Sequence, residues 1–448
     1  MLVNRGPCTF AAPSVPDQPL MSASTLERGR FAVASEDLPK LAASFVSFTL
    51  LLASYYILRP VRDALAATLG ADSIKYLSSA VFVVMLLIVP VFGWLFVRVP
   101  RPRLVPGLFA FFIVNLGVFA FAFGRYGAEG GIGAWWARAF FVWVTVFNMF
   151  AVSVFWSRMA EVWSEPQGRR YFGIVSAGGS LGGLAGPLLA RTFAANVAIT
   201  GLVWISAALL TGALIALSSL ARSPAAATAA PAAPAATVGE PTALAVLQGL
   251  WLIGRTPFLI GIAVLVSLGS FLGMIVYIEM ARLVAATFPS AVARTTFYST
   301  RDLWVNGGAF ALQLVLLGEI TRRLGVGTAL VAAGAVVLAA FVALGFDPTL
   351  ATLTGVSVTL RCAEFGLAKP ARDMLYTVVP PAAKYQSKNV IDTALYRGSD
   401  MASGWIQSLI ARLGVGLGGW GWIAAALTVA LTAAAALVGR EYRRRGGK

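Results

Sequence analysis

The stretch ARSPAAATAAPAAPAATVGEPT, residues 221–242, divides the chain in two. It is alanine and proline with no hydrophobic period, so it reads as a flexible linker rather than a packed element. On both sides of it, apolar runs long enough to cross a bilayer recur from about residue 41 to residue 439. Only 12% of the 448 residues are charged and 58% are hydrophobic, whereas a soluble domain carries about 25% charged residues. The expected fold class is all-α, a polytopic membrane protein. Twelve spans read at 41–66, 74–97, 104–124, 135–163, 170–193, 197–220, 256–288, 295–318, 326–346, 349–378, 387–412 and 417–439. Two six-helix bundles follow, 41–220 and 244–439, joined by a cytoplasmic linker at 221–243. Residues 1–40 lack an apolar signal region and read as a disordered cytoplasmic tail. Residues 440–448 form a basic tail, and 243–253 a short interfacial helix.

The formal charge of +16 does not point to nucleic acid in such a chain. Basic residues gather in cytoplasmic loops to fix topology. With both termini inside, the inner loops hold Arg98, Arg101 and Arg103, then Arg169 and Arg170, Arg322 and Arg323, Lys384 and Lys388. The outer ends hold isolated cations such as Lys75, Arg125 and Arg294. That asymmetry is what the positive-inside rule predicts of a multi-pass protein in this orientation; the expected location is a bacterial inner membrane, with the lipid bilayer as its partner. Cys8 lies in a polar tail and Cys362 in an apolar span, so no disulfide framework is expected. There is no histidine, which removes the commonest metal ligand and the usual proton carrier near neutral pH. No nucleophile–base pair or metal cluster stands out, so neither an enzyme nor a cofactor is expected.

The inner loop GEITRRLG (318–325) resembles the Gly/acid/Arg-Arg/Gly loop of the major facilitator superfamily, and GWLFVRVPRPR (93–103) is a weaker version of it. That resemblance implies four three-helix units in which spans 1, 4, 7 and 10 are equivalent and line a central cavity. Charge recurs on those four spans. RPVRDAL (59–65) ends span 1 and KPARDML (369–375) ends span 10. FWSRMAEVW (155–163) ends span 4, and span 7 carries VYIEMARLV (276–284). The expectation is that all four sets lie near one depth. Arg59, Arg62 and Asp63 share a helix face, with Tyr55 and Tyr56 one turn earlier. Lys369, Arg372 and Asp373 repeat the pattern, with Tyr376 one turn later. Pro60 and Pro370 are expected to kink their helices. An ionised side chain in a bilayer costs at least ~2.5–3.5 kcal/mol on insertion scales. Each box has two cations for one acid, so the surplus positive charge asks for an anion.

SYYILRPVRDAL (54–65) resembles the first-helix signature of the nucleotide transporters, the ATP/ADP translocases of plastids and intracellular bacteria. The segment FGLAKPARDMLYTVVPPAAKYQSKNVIDTALYRGSDMASGW (365–405) resembles their tenth-to-eleventh-helix signature, and 155–187 is similar to their fourth-to-fifth-helix region. The resemblance implies nucleotide exchange by alternating access. Arg62 and Arg372 occupy positions where that family has a transport-critical lysine, and Glu279 aligns with a critical glutamate. Where the family has a carboxylate in the fourth helix, Asn148 is the nearest polar candidate here. Arg59, Arg62, Lys369 and Arg372 are thus expected to bind phosphate oxygens, and Tyr55, Tyr56 or Tyr376 to stack on a base. Asp63, Glu161, Glu279, Arg282 and Asp373 are the candidates for coupling or charge pairing. Two other readings stay open: a proton-coupled carrier of another solute, and a non-transporting membrane subunit or sensor.

Other polar groups have plainer readings. GGSLGGLAGP (178–187) lies inside a span and lacks the Lys-Ser/Thr of a phosphate loop, so it reads as a helix-packing face. Arg301 and Asp302, with Asn306 and Gln313, read equally as a cavity wall or a latch. Arg361 with Glu364, and Arg397 with Asp400, are each spaced for mutual pairing.

Overall fold

The computed structural model describes residues 35–220 and 243–447. The expected tail lies mostly outside the described residues, as does the linker. Lys40–Lys448 make one compact unit. The preceding unit, Met1–Pro39, is described only at 35–39, a turn entering a helix.

Helix α1 is Leu38–Thr68, α2 Ile74–Arg98, α3 Arg101–Tyr126 and α4 Gly131–Val162. Helix α5, Glu165–Ser218, holds two expected spans in 54 residues. It breaks at Ala198, where φ is 54°. Its two arms run in opposite senses along α1. On the first arm Gly178 lies against Phe45 and Gly186 against Ala53. On the second, Ser206 bonds Ser54 at 2.8 Å and Gly212 meets Leu50, so the order is inverted. After the linker come α6 (Ala243–Arg255), α7 (Pro257–Thr287), α8 (Ala291–Leu312), α9 (Gly318–Leu324) and α10 (Val326–Phe346). The chain ends with α11 (Leu350–Ala363), α12 (Lys369–Leu375), α13 (Pro381–Val390), α14 (Tyr396–Ala411) and α15 (Leu417–Arg444).

Three wide turns of i→i+5 type interrupt the second half, at Gln313–Leu317, Glu364–Ala368 and Ile391–Leu395. Such turns insert one residue into a helix and recur at functional sites. Pro370 follows the second of them, in the first turn of α12, where its missing N–H costs little. Pro60 sits inside an unbroken α1. Among the described residues nine helices are long and apolar enough to cross a membrane. Expected spans 349–378 and 387–412 are absent from that set because the wide turns shorten their helices. Leu87, Phe121 and Trp135 are large, apolar and mostly exposed, as side chains facing lipid are.

Contacts across the linker set the architecture. Helix α5 packs on α8, and α2 packs on α14. Helix α1 is antiparallel to α8: Thr68 meets Arg294, Asp63 meets Arg301 and Arg59 meets Asp302. Helix α8 is parallel to α11: the Cys362 thiol points at the Val305 carbonyl, and Gln313 donates to that of Phe365. Hence α1 runs against α11 and α12.

Candidate functional site

Between these elements lies a cavity of about 2640 Å³. Its walls come from both sides of the linker: α1, α2, α4 and the first arm of α5, then α7, α8, α10, α11, α12 and α14. At one end the lining reaches Arg98–Pro100 and Trp163–Glu165, which are helix ends and turns, so the cavity opens there. The opposite end is sealed. Ala64, Ala67 and Ile74 join an apolar cluster with α7, α10, α11 and α15. Arg294 donates to Thr68 at 2.7 Å, and Lys75 to Ser408 at 2.6 Å. Tyr76 meets Trp405 edge-on, and the Trp405 indole donates to Ser79 at 3.0 Å.

Just inside that seal sits a buried ionic network. The Asp63 carboxylate accepts from Arg62 at 2.7 Å, Arg301 at 2.9 Å and the Tyr277 hydroxyl at 3.1 Å. Arg301 also donates to Asp302 at 2.8 Å. Arg59 approaches Asp302 at 3.5 Å, but the oxygen it faces accepts no hydrogen bond. Three arginines therefore share two carboxylates across α1, α7 and α8. Arg301 and Asp302, left between wall and latch by the sequence, join elements from both sides of the linker.

The remaining candidates separate into two groups. Arg59, Arg62, Lys369, Arg372, Tyr55, Tyr56 and Glu161 line the cavity. Tyr55 and Tyr56 pack edge-on at 5.0 Å, and Arg59 lies 5.7 Å from the Tyr56 ring centre. Asn148 also lines it, and Glu161 pairs with Arg158 at 3.1 Å. Arg372 pairs with Glu364 at 3.2 Å. Tyr376 is instead buried in an apolar cluster with residues of α7 and α15. Asp373 bonds Lys388 at 2.6 Å outside the cavity lining. Glu279 is 3% exposed, accepts from Gln407 at 3.3 Å and faces Arg282 at 3.9 Å, also away from the lining.

The expectation of one common depth is corrected by helix direction. Because α1 runs against α11 and α12, the ends of their boxes lie toward opposite ends of the cavity. Arg59 and Arg62 sit by the seal. Lys369 and Arg372 sit nearer the mouth, following the parallel contacts of α8 and α11. Arg397 pairs with Asp400 at 3.5 Å, as its spacing led one to expect, but the sequence reading missed the serines of α7 and α14 around it: Ser270 donates to Asp400 at 2.5 Å and Ser399 donates to Ser267 at 3.0 Å. Regular serine spacing on span 7 was the available signal.

No family model matches the sequence. No curated protein matches it either. Solved structures do match, over nearly the whole chain. A D-xylose–proton symporter aligns with 13% identity and a TM-score of 0.61, covering 89% of this chain and 97% of its own. The nucleoside transporter NupG aligns with 13% identity and a TM-score of 0.59, covering 92% and 99%. A bacterial homologue of the human lysosomal transporter Spinster, inward-facing and unoccupied, aligns with 13% identity and a TM-score of 0.57, covering 92% and 99%. These likenesses show the fold, an all-helical membrane architecture of the major facilitator type.

Proposed function

We propose that this protein is a membrane transporter that exchanges phosphorylated anions of the nucleotide class by alternating access. The observation that carries the reading is the cavity itself. Both sides of the linker wall it, one end is open, the other is latched, and among the described residues cations outnumber carboxylates along its lining. The bundles 41–220 and 244–439 would rock about the α5–α8 and α2–α14 contacts, with both tails and the linker cytoplasmic and the cavity open to the cytoplasm. Arginine forks and the Lys369 ammonium suit phosphate oxygens through charge-assisted hydrogen bonds. The resemblance of 54–65 and 365–405 to the nucleotide transporters favours a nucleotide over other anions. A cavity with surplus positive charge resists losing its water unless an anion neutralises it, which gives exchange a physical basis.

Labelled ATP offered to intact bacterial cells expressing the chain tests this. Saturable uptake is expected, suppressed by excess unlabelled ADP and retained under an uncoupler. One observation favours a proton-coupled carrier instead: Asp400 presents a serine-bonded carboxylate to the cavity. Uptake that ignores nucleotides and collapses with the uncoupler would decide for that reading.

Placement also sets Asp373 apart from the cavity. The side chains of Asp373 and Lys388 are 43% and 36% exposed, and an exposed pair contributes at most ~1 kcal/mol. Asp373→Asn is expected to change the initial uptake rate by less than about fivefold, in line with an interaction that weak. A loss of tenfold or more would place Asp373 in the transport path.

A further inference from the structure

Helix α11 carries a cation that no expectation used as a binding group. Arg361 is largely buried and lines the cavity. Its sequence spacing paired it with Glu364, but Glu364 is taken by Arg372 across the wide turn 364–368. Among the described residues the Arg361 guanidinium has no hydrogen bond and no ion pair. Among its electrostatic neighbours Arg59 and Arg301 are themselves arginines, and Asp63, Asp400 and Tyr396 are the oppositely polarised ones. Asp63 is already shared by Arg62 and Arg301, and Asp400 is held by Ser270 and Arg397.

Its depth is fixed by helix direction. Cys362 lies against Val305, one turn beyond Arg301 and Asp302, so Arg361 comes within about a turn of the Arg59–Asp302 level. Lys369 and Arg372 lie farther toward the mouth, by about 12 and 16 Å of helix rise. Arg361, rather than either member of the repeated box, is the cation of α11 that faces the sealed end with Arg59.

A guanidinium removed from bulk water without a carboxylate is costly. Its planar fork matches two oxygens of one oxyanion. Arg59 is the natural second donor, because its own contact with Asp302 lacks a hydrogen bond. We propose that Arg361 anchors an oxyanion of the phosphate class at a deep subsite near the latch, distinct from the station at Lys369 and Arg372. The subsite rests on the transporter reading, as the inner stop of the transported anion.

The test uses the purified full-length protein in detergent, with inorganic pyrophosphate as probe and chloride at matched ionic strength as control. Thermal stability is followed for wild type, Arg361→Gln and Arg361→Lys. Without pyrophosphate, Arg361→Gln should melt at or above the wild type, because a bare cation is gone; a structural partner would leave it lower. With pyrophosphate, the concentration giving half-maximal stabilisation should rise at least tenfold in Arg361→Gln, and less in Arg361→Lys. Equal responses in wild type and Arg361→Gln, or no wild-type response, overturn the subsite. So does an Arg361→Gln protein that melts well below the wild type while Arg361→Lys restores it. Labelled nucleotide uptake separates the two claims. Uptake with an Arg361-independent pyrophosphate response sinks the subsite alone. An Arg361-dependent response without nucleotide uptake keeps the subsite and sinks the nucleotide.

Discussion

Asp63→Asn should open the sealed end of the cavity and abolish net transport. Asp63 is 1% exposed and accepts from Arg62, Arg301 and Tyr277, so a single carboxylate ties α1 to α7 and α8. Asparagine keeps the shape and removes the charge. Two guanidiniums then face a neutral amide, and breaking a buried pair from one side costs ~3–5 kcal/mol. The Arg301 and Tyr277 bonds cross the linker at the sealed end, so their loss is expected to bias the protein toward the opposite access. At 1.4 kcal/mol per tenfold, the population shift is two orders of magnitude or more, roughly, if the full cost falls on the shut state. Thr68→Cys, in a chain with Cys8 and Cys362 replaced by serine, reports on this end. Its reaction with a membrane-impermeant maleimide should accelerate at least about tenfold in Asp63→Asn, well inside that shift. An unchanged rate would mean that the network stabilises the bundles in every state and is no gate.

Gly182→Leu should yield no monodisperse protein. A Cβ at Gly182 would meet the Thr49 carbonyl and, at 2.9 Å, the Ala53 nitrogen. At Gly178 it would come within 2.7 Å of the Phe45 carbonyl, and at Gly186 within 2.7 Å of the Ala53 carbonyl. Small residues four apart let the backbones of α1 and α5 touch, which is where attraction between membrane helices comes from. Overpacking a core costs ~1–3 kcal/mol when side chains can shift. Here the obstacle is backbone, so the whole α1–α5 contact must separate. Gly173→Ala is the control, since nothing lies within 4 Å of a Cβ there. Size-exclusion profiles of fluorescent fusions compare the two. A Gly182→Leu profile matching the wild type would show that the contact does not hold the bundle.

Much of this fold was legible because lipid solvation is written one residue at a time. Apolar spans, the small-residue face at 178–187 and the glycine at Gly325, where φ is +86°, need no knowledge of partners. The site was less legible, because a charge is defined by what it meets. Arg59 finds Asp302 and Asp63 finds Arg301 across more than two hundred positions. Glu364 lies two turns from Arg372 only because a wide turn inserts a residue between them, which turned an apparent Arg361–Glu364 pair into a bare Arg361. The opposite depths of the two boxes were available in principle, since an odd-numbered span runs against an even-numbered one. Their near-identical spelling drew attention to likeness and away from direction.

Counterflow in proteoliposomes tests the central claim most directly. Purified protein is reconstituted, vesicles are loaded with unlabelled ATP or with buffer alone, and entry of labelled ADP is timed without any ion gradient. The account predicts rapid entry into the ATP-loaded vesicles and at most about a tenth of that rate into the others, because a cation-rich cavity returns only with an anion aboard. Equal entry into both, or entry only when a proton gradient is imposed, would contradict it.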